Sequence, residues 1–394
     1  MKKQLLSLIL LLAPVFASAQ TIYICKDGAY TAKEITDYLE ISPSEADSIT
    51  FDVPKFPAPV VTINYSGSTA TVNIPAYASY ITSSVDGAKV TICNSQSDGE
   101  EATYVVSGSS NNGSLSIYGK YKMSVTLDNL TLTSADSAAI NIQCGKRIAM
   151  KLDGLNTLAD AAGGSQKACL YSKGHLEMSG EGVLNITGNA AHALASKEYL
   201  ELKSSLGAIN IVKAAKDAIH CGQYFEMKGG AITIDSNTAG DGIQTEYVLL
   251  DDDVTPDPEK EDNGKMFFKG GTLNITIANE DCKAIKSDSD IAISGGTFTI
   301  NANGNGSRGI QTDGNMVIGE ENATTSITIT AAGGKCTQEE CSDDPHKCMG
   351  IKLDGDLTIN AGIITVYNTG KKSKGIKVGG TYTLNGGTVV GEVE

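Results

Sequence analysis

From residue 104 onward the chain repeats itself, and a repeat restricts the available folds more than any local propensity does. One half of the repeat is a small residue followed by an aliphatic: Ala139-Ile140, Cys169-Leu170, Ala193-Leu194, Ala218-Ile219, Gly242-Ile243, Ala284-Ile285, Gly309-Ile310, Gly350-Ile351 and Gly375-Ile376. The other half is a Gly-Gly turn opening a strand-like run, at Gly229-Gly230, Gly270-Gly271, Gly295-Gly296 and Gly386-Gly387. Successive aliphatic members are 30, 24, 25, 24, 42, 25, 41 and 25 residues apart, so the period is about 25. The two long gaps are one period plus an insertion. One holds the acidic stretch 251–263, the other the segment 320–325 and a cysteine-rich loop over 335–349. Insertions that respect the period belong on loops outside a regular stack.

Within the repeats, Thr272 to Thr276 and Thr297 to Asn301 alternate polar and apolar residues, which buries one face of a strand and solvates the other. Short alternating strands, glycine turns and this period describe one rung of a parallel β-helix with three strands per rung. Helical solenoids are excluded because the rungs lack helical periodicity. A propeller needs a longer period, and the GGxGxD pattern of calcium rolls is absent. Residues at equal repeat positions must then form columns along the rod, one rung (about 4.8 Å) apart.

Composition agrees. Of 394 residues 41% are apolar, enough for a core, and 43 glycines against 9 prolines favour turn-rich β structure over linkers. The net charge of −15 argues against phosphate-neutralising nucleic-acid binding and leaves cations or neutral polymers as the natural partners. Residues 1–19 read as a signal peptide: Lys2 and Lys3, an apolar run from Leu5 to Phe16, then Ala17-Ser18-Ala19. No cysteine sits at that junction for lipid attachment, and no other segment is apolar enough to span a membrane. The expectation is an exported, secreted, periplasmic or cell-surface monomer. Residues 20–56 form an N-terminal segment, with a short helix or strand pair near Tyr30–Leu39 and a proline-rich linker. Residues 57–103 read as a β lead-in or cap, and 104–394 as the β-helix.

All nine cysteines lie beyond the leader. Cys336, Cys341 and Cys348, with His346 between them, allow a zinc site of unusual spacing; a disulfide-stapled loop suits an exported protein better.

The segments 145–152 (GKRIAMKL), 166–178 (QKACLYSKGHLEM), 192–202 (HALASKEYLEL), 217–230 (DAIHCGQYFEMKGG) and 240–244 (GDGIQ) carry a resemblance. They resemble a family of secreted bacterial right-handed β-helix carbohydrate-binding domains, described for binding cellulose and acidic plant polysaccharides such as polygalacturonate. The likeness spans roughly residues 57–394. It implies a non-catalytic polysaccharide-binding module, with a fold similar to pectate lyases and calcium held between rungs.

Three constellations are candidate sites. Three places after the aliphatic, Glu246, Asp288, Asp313 and Asp354 occupy one column, where stacked carboxylates need a positive partner. Calcium is one solution, with Asp290 and Asp356 completing the shell. Exposed turn aspartates relieved by water, Lys286 and Lys352 are the other. Asp217 and Asp241 form a second acidic pair, as calcium ligands or as caps of backbone N–H groups. Tyr199 and Tyr224 share a column, with Tyr171 nearby; with Lys173, Lys197 and Lys216 they can meet a sugar and its uronate carboxylates. The alternative is a tyrosine ladder packed under a loop. His175, His192, His220 and His346 show no nucleophile–base spacing and read as structural. Two other functions stay open: a calcium-dependent lyase using Lys216, Lys283 or Lys286 as base, and an acidic surface adhesin or structural rod.

Overall fold

The computed structural model describes residues 57–321, 323–338 and 346–394, preceded by residues 8–11, 20–26, 29–35, 38–41 and 44–50. Most of the expected leader, and Cys341, lie outside the described residues. The chain is a right-handed parallel β-solenoid of about 12 turns with rungs of about 25 residues, and no helix occurs among the described residues. At one rung per 4.8 Å the rod is roughly 55–60 Å long.

Each rung contributes a leading, a middle and a trailing strand. The leading strands, with the antiparallel strand Ile81–Asp86 at one edge, form a twelve-stranded sheet. Their register is the repeat itself: Ile140, Leu170, Leu194, Ile219, Ile243, Ile285, Ile310, Ile351 and Ile376 pair in succession. All nine are buried. The preceding residue is small because the stack leaves no room. A Cβ on Gly309 would lie 2.5 Å from the Gly350 carbonyl oxygen, and one on Gly350 would lie 2.2 Å from Val366. The Gly-Gly turns join middle to trailing strands. Their second glycines, Gly230, Gly271, Gly296 and Gly387, have φ of 79°, 94°, 111° and 84°, a left-handed conformation that costs a side chain energy.

Inside, Phe225, Phe268 and Phe298 from successive middle and trailing strands form a ladder with ring centroids 5.5 and 5.2 Å apart. Two places after the aliphatic, the interior holds hydroxyls that bind corner carbonyls. Ser172 and Ser196 donate to the Gly174 oxygen (3.0 and 2.9 Å), while Thr245 and Ser287 both donate to that of Gly264 (2.7 Å). These bonds satisfy buried carbonyls and fix the corner after those four leading strands, whereas Ile142, Cys221, Leu353 and Val378 hold the same position elsewhere.

Parallel stacking begins earlier than the repeat marker. Val60–Ser66 pairs in parallel with Ala102–Ser110, and Lys89–Asn94 with Ser114–Gly119. The boundary drawn at residue 104 therefore falls inside a strand that is already stacked. The aliphatic column itself continues upstream through Leu115 and Val90, which pair in register below Ile140, and only the first turn pairs outward with antiparallel partners, Thr69–Asn73 and Ile81–Asp86. Those hairpins close the end of the core, as a solenoid requires. Farther upstream, Gln20–Lys26 pairs antiparallel with Ala29–Ile35 and Ser48–Thr50, and Leu8–Leu11 with Tyr38–Ile41. The region around Tyr30 is thus strand.

Candidate functional site: a cationic cleft on the leading face

The first long spacing, 30 residues between Ile140 and Leu170, builds a cleft. The extra residues form a loop after the strand Leu155–Ala159, and Ser165, Gln166 and Lys167 from it make one wall. Asp136, Ser137 and Ala138, from the equivalent turn one rung earlier, line the same side. The floor is the outward column Ser116, Asn141 and Tyr171, which pair in register across adjacent leading strands. Gln143, Lys173 and Lys197 line the opposite edge. The cleft encloses about 510 Å³.

Its charge differs from that of the middle face, where lysines meet carboxylates: Lys203 bridges Glu177 and Glu201 (3.1 and 2.8 Å), and Lys228 bridges Glu201 and Glu226. Lys269 continues the series on Glu226, and Arg147 begins it on Glu101 and Glu177. Among the described residues Lys167, Lys173 and Lys197 form no ion pair, although the protein carries a net charge of −15; the cleft's Asp136 is engaged by Lys89. Ser172 pairs with Ser196, so Lys173 and Lys197 leave the sheet one rung apart and repel each other. An anion between them relieves that repulsion. Tyr171 is 8% exposed, with the Lys167 ammonium 5.8 Å from its ring centroid. It forms the floor and its hydroxyl edge rather than an open stacking platform.

The six residues expected to meet sugar therefore separate. Tyr171, Lys173 and Lys197 line the cleft. Tyr199 and Tyr224 stack at 4.6 Å and 15° on the corner between leading and middle faces, flanked by His175 (4.3 Å) and Phe267 (6.3 Å). Both are half-buried, and the Tyr199 hydroxyl donates to Glu177 (3.2 Å). The 246–265 insertion folds back beside them: Gln223 donates to the Glu261 carbonyl (2.8 Å) and Lys260 meets Glu198 (3.4 Å). Desolvation, reinforced by neighbouring carboxylates, pushes both phenols above their ordinary pKa. Lys216 is exposed beside Asp217 and outside the cleft.

The acidic column is where the repeat places it but does not converge. Glu246 accepts a hydrogen bond from Gln244 (2.6 Å) and Asp354 pairs with Lys352 (3.1 Å). Asp288 accepts from the Tyr247 N–H (3.3 Å), and Asp313 is exposed. Burial raises the Asp288 pKa, assisted by Glu246 and Asp313 and opposed by Lys286. Asp290 and Asp356 each accept a backbone N–H of the next rung, from Asn315 (2.8 Å) and Thr381 (2.6 Å). These residues offer calcium separate oxygens a rung apart, not the converging six to eight that it takes, so the fit is poor.

Asp217 and Asp241 likewise cap the next rung, accepting the N–H of Asp241 (2.9 Å) and of Lys283 (2.7 Å). Burial and neighbouring Asp217 push the Asp241 carboxyl up to about 6, against the pull of Lys283. Asp217 also gathers His192 and His220, whose rings stack at 4.4 Å. Burial works against its charge, but the two imidazoles and the Asp241 N–H hold it well below the usual carboxylate range. In the cysteine-rich loop Cys336 is disulfide-bonded, and Cys348 is a free, fully buried thiol donating to the Ala302 carbonyl (3.4 Å). The zinc alternative there fails because those two sulfurs are committed to different tasks.

Sequence reading missed the carboxylate ladder Glu177, Glu201 and Glu226 on the middle face, which pair in register. The signal was present as a glutamate two places after His175, Tyr199 and Tyr224. It also missed the cleft wall, because the 30-residue spacing gave no motif.

The fold and site define the chain as a parallel β-solenoid with a polar, cation-edged cleft across one strand face. The family model of the carbohydrate-binding domain-containing proteins matches residues 86–392, and the chain belongs to that family. Among solved structures, the polysaccharide lyase-like protein from C. thermocellum, as a gadolinium derivative, is similar at 18% identity and a TM-score of 0.51. The likeness covers 68% of this chain and 98% of that one, and it bears on the fold alone. No relative is found among curated proteins.

Proposed function

We propose that the protein binds an acidic polysaccharide in the leading-face cleft without cleaving it. The observation that carries this is the convergence of three unpaired lysines, Lys167, Lys173 and Lys197, on one polar cleft of a molecule whose net charge is −15. A uronate polymer supplies carboxylates for the lysines and hydroxyls for Asn141, Gln143, Gln166 and Ser116. An exported protein, as the N-terminal sequence suggests, would meet such polymers outside the cell. The lysines suggested as a lyase base do not face the cleft. Lys283 is held by Asp281 (3.3 Å to the carboxylate), and Lys286 sits among Gln244 and Gln311 on other rungs.

The test is retardation in a gel containing polygalacturonate. Replacing Lys173 and Lys197 by alanine should weaken retention by about 10- to 100-fold together, the scale of lost charge-assisted hydrogen bonds, with the β-type circular dichroism unchanged. Unaltered retention would remove the cleft from the reading. Incubation with the polymer should give no new absorbance from unsaturated ends; a steady rise would establish lyase activity instead.

A further inference from the structure

We propose that His192, Asp217 and His220 form a binding site for a divalent transition ion of the zinc class. His192 opens the leading strand His192–Ser196, while Asp217 and His220 flank Ile219 on the next rung. The Nδ1 atoms of the two histidines lie 3.2 and 3.1 Å from the same oxygen, Oδ2 of Asp217. Their three donor atoms all fall within 4.8 Å of one another. Bonds of about 2.0–2.1 Å at tetrahedral angles give donor–donor edges of about 3.3 Å, so the spacing suits one ion.

Four details favour a metal over a plain hydrogen-bonded cluster. His192 Nδ1 is buried and, although close to Asp217, is misaligned and makes no hydrogen bond. The other Asp217 oxygen is occupied by the Asp241 N–H, which fixes the carboxylate and turns Oδ2, hydrogen-bonded to His220 Nδ1 (3.1 Å) while no ion is bound, toward both imidazoles. The far nitrogen of His220, Nε2, lies 3.6 Å from Glu246, just beyond hydrogen-bond distance, where a small rotation would make that carboxylate the outer partner of a metal-bound imidazole. Finally, the side chains are 14%, 13% and 20% exposed, so an entering ion would keep a position open to solvent. Two imidazoles and one carboxylate suit zinc, copper or nickel, whereas calcium takes oxygen. Asp217, expected as a calcium ligand, thus acquires a different ion because two histidines converge on it.

The experiment uses the full chain stripped by chelator, with Zn²⁺ and Co²⁺ as probes. One Zn²⁺ should bind per chain by calorimetry, Co²⁺ should give the visible bands of a low-coordinate site, and Zn²⁺ should raise the melting temperature. Calcium in about 100-fold excess should not displace zinc. His192→Ala and His220→Ala should each weaken zinc binding at least about tenfold, and Glu246→Gln about 10-fold through orientation. Asp288→Asn and Asp313→Asn should leave it unchanged. His220→Gln, which keeps the side chain's bulk and polarity, covers the case in which alanine disturbs the fold. Absence of saturable Zn²⁺ binding, equal affinity in the His192→Ala/His220→Ala double variant, or displacement by calcium would each overturn the proposal.

Discussion

At the scale of single residues, position within the rung decides chemistry more than residue type does. Lysines at Lys173 and Lys203 differ in that one leaves the leading strand toward a cleft and the other lies between two glutamates. Asp241 makes the point for carboxylates. Its folded pKa is raised to about 6, whereas an unfolded aspartate titrates near 3.8. The folded state therefore holds the proton more tightly, and the stability this group provides is fully present below the unfolded value. It is lost as pH rises through about 6. Stability measured by urea should decline between roughly pH 4 and 6.5 on this account. Asp241→Asn should flatten that decline and raise stability at pH 7 by about 1–3 kcal/mol. An unchanged pH profile in the variant would mean the carboxyl is ionised throughout.

At the scale of strands and ladders, the repeat legislates register, and register places the columns. The aliphatic column was legible because its spacing is enforced twice, by the buried Ile and Leu side chains and by glycine positions where a Cβ would strike backbone. The stacked pair Tyr199 and Tyr224 was legible for the same reason. That the ladder packs under a loop stood as one of two readings; which loop was not legible, because no column records the return path of the 246–265 insertion. Nor could columns show His192 beside His220, which meet diagonally through Asp217. The cleft escaped because it is made by an irregularity. These differences predict different phenotypes. Phe268→Ala, in the middle of the interior ladder, should cost about 3–5 kcal/mol. Tyr199→Ala should cost less, roughly 1–3 kcal/mol, because the ring is half-exposed. Polygalacturonate retention should survive in Tyr199→Ala wherever the protein is folded; a selective loss of binding would assign the corner tyrosines to the sugar.

At the scale of the whole molecule, a net charge of −15 opposes approach of a polyanion while the cleft lysines attract it at contact. The two effects screen differently: the long-range repulsion fades once the Debye length falls to about 10 Å, near 0.1 M salt, and contact pairs fade later. Affinity for polygalacturonate should therefore pass through a maximum as salt is raised from a few millimolar. A fall from the lowest salt onward would show that the cleft's field dominates at every distance. The same molecule has a graininess of length. Ile285 and Ile310 are consecutive members of one column, 25 residues apart, and each is preceded by a small residue. Excising residues 285–309 would join Ala284 to Ile310 and present to Ile243 the partner it already expects. That shortened protein should still melt cooperatively, with its axis reduced by about 4.8 Å. Excising 20 residues from the same place should abolish folding, because every later side chain would arrive out of phase. Lineages carrying this fold can thus grow or shrink only in whole quanta, as a screw accepts only whole turns, while corner loops such as 246–265 vary without that constraint.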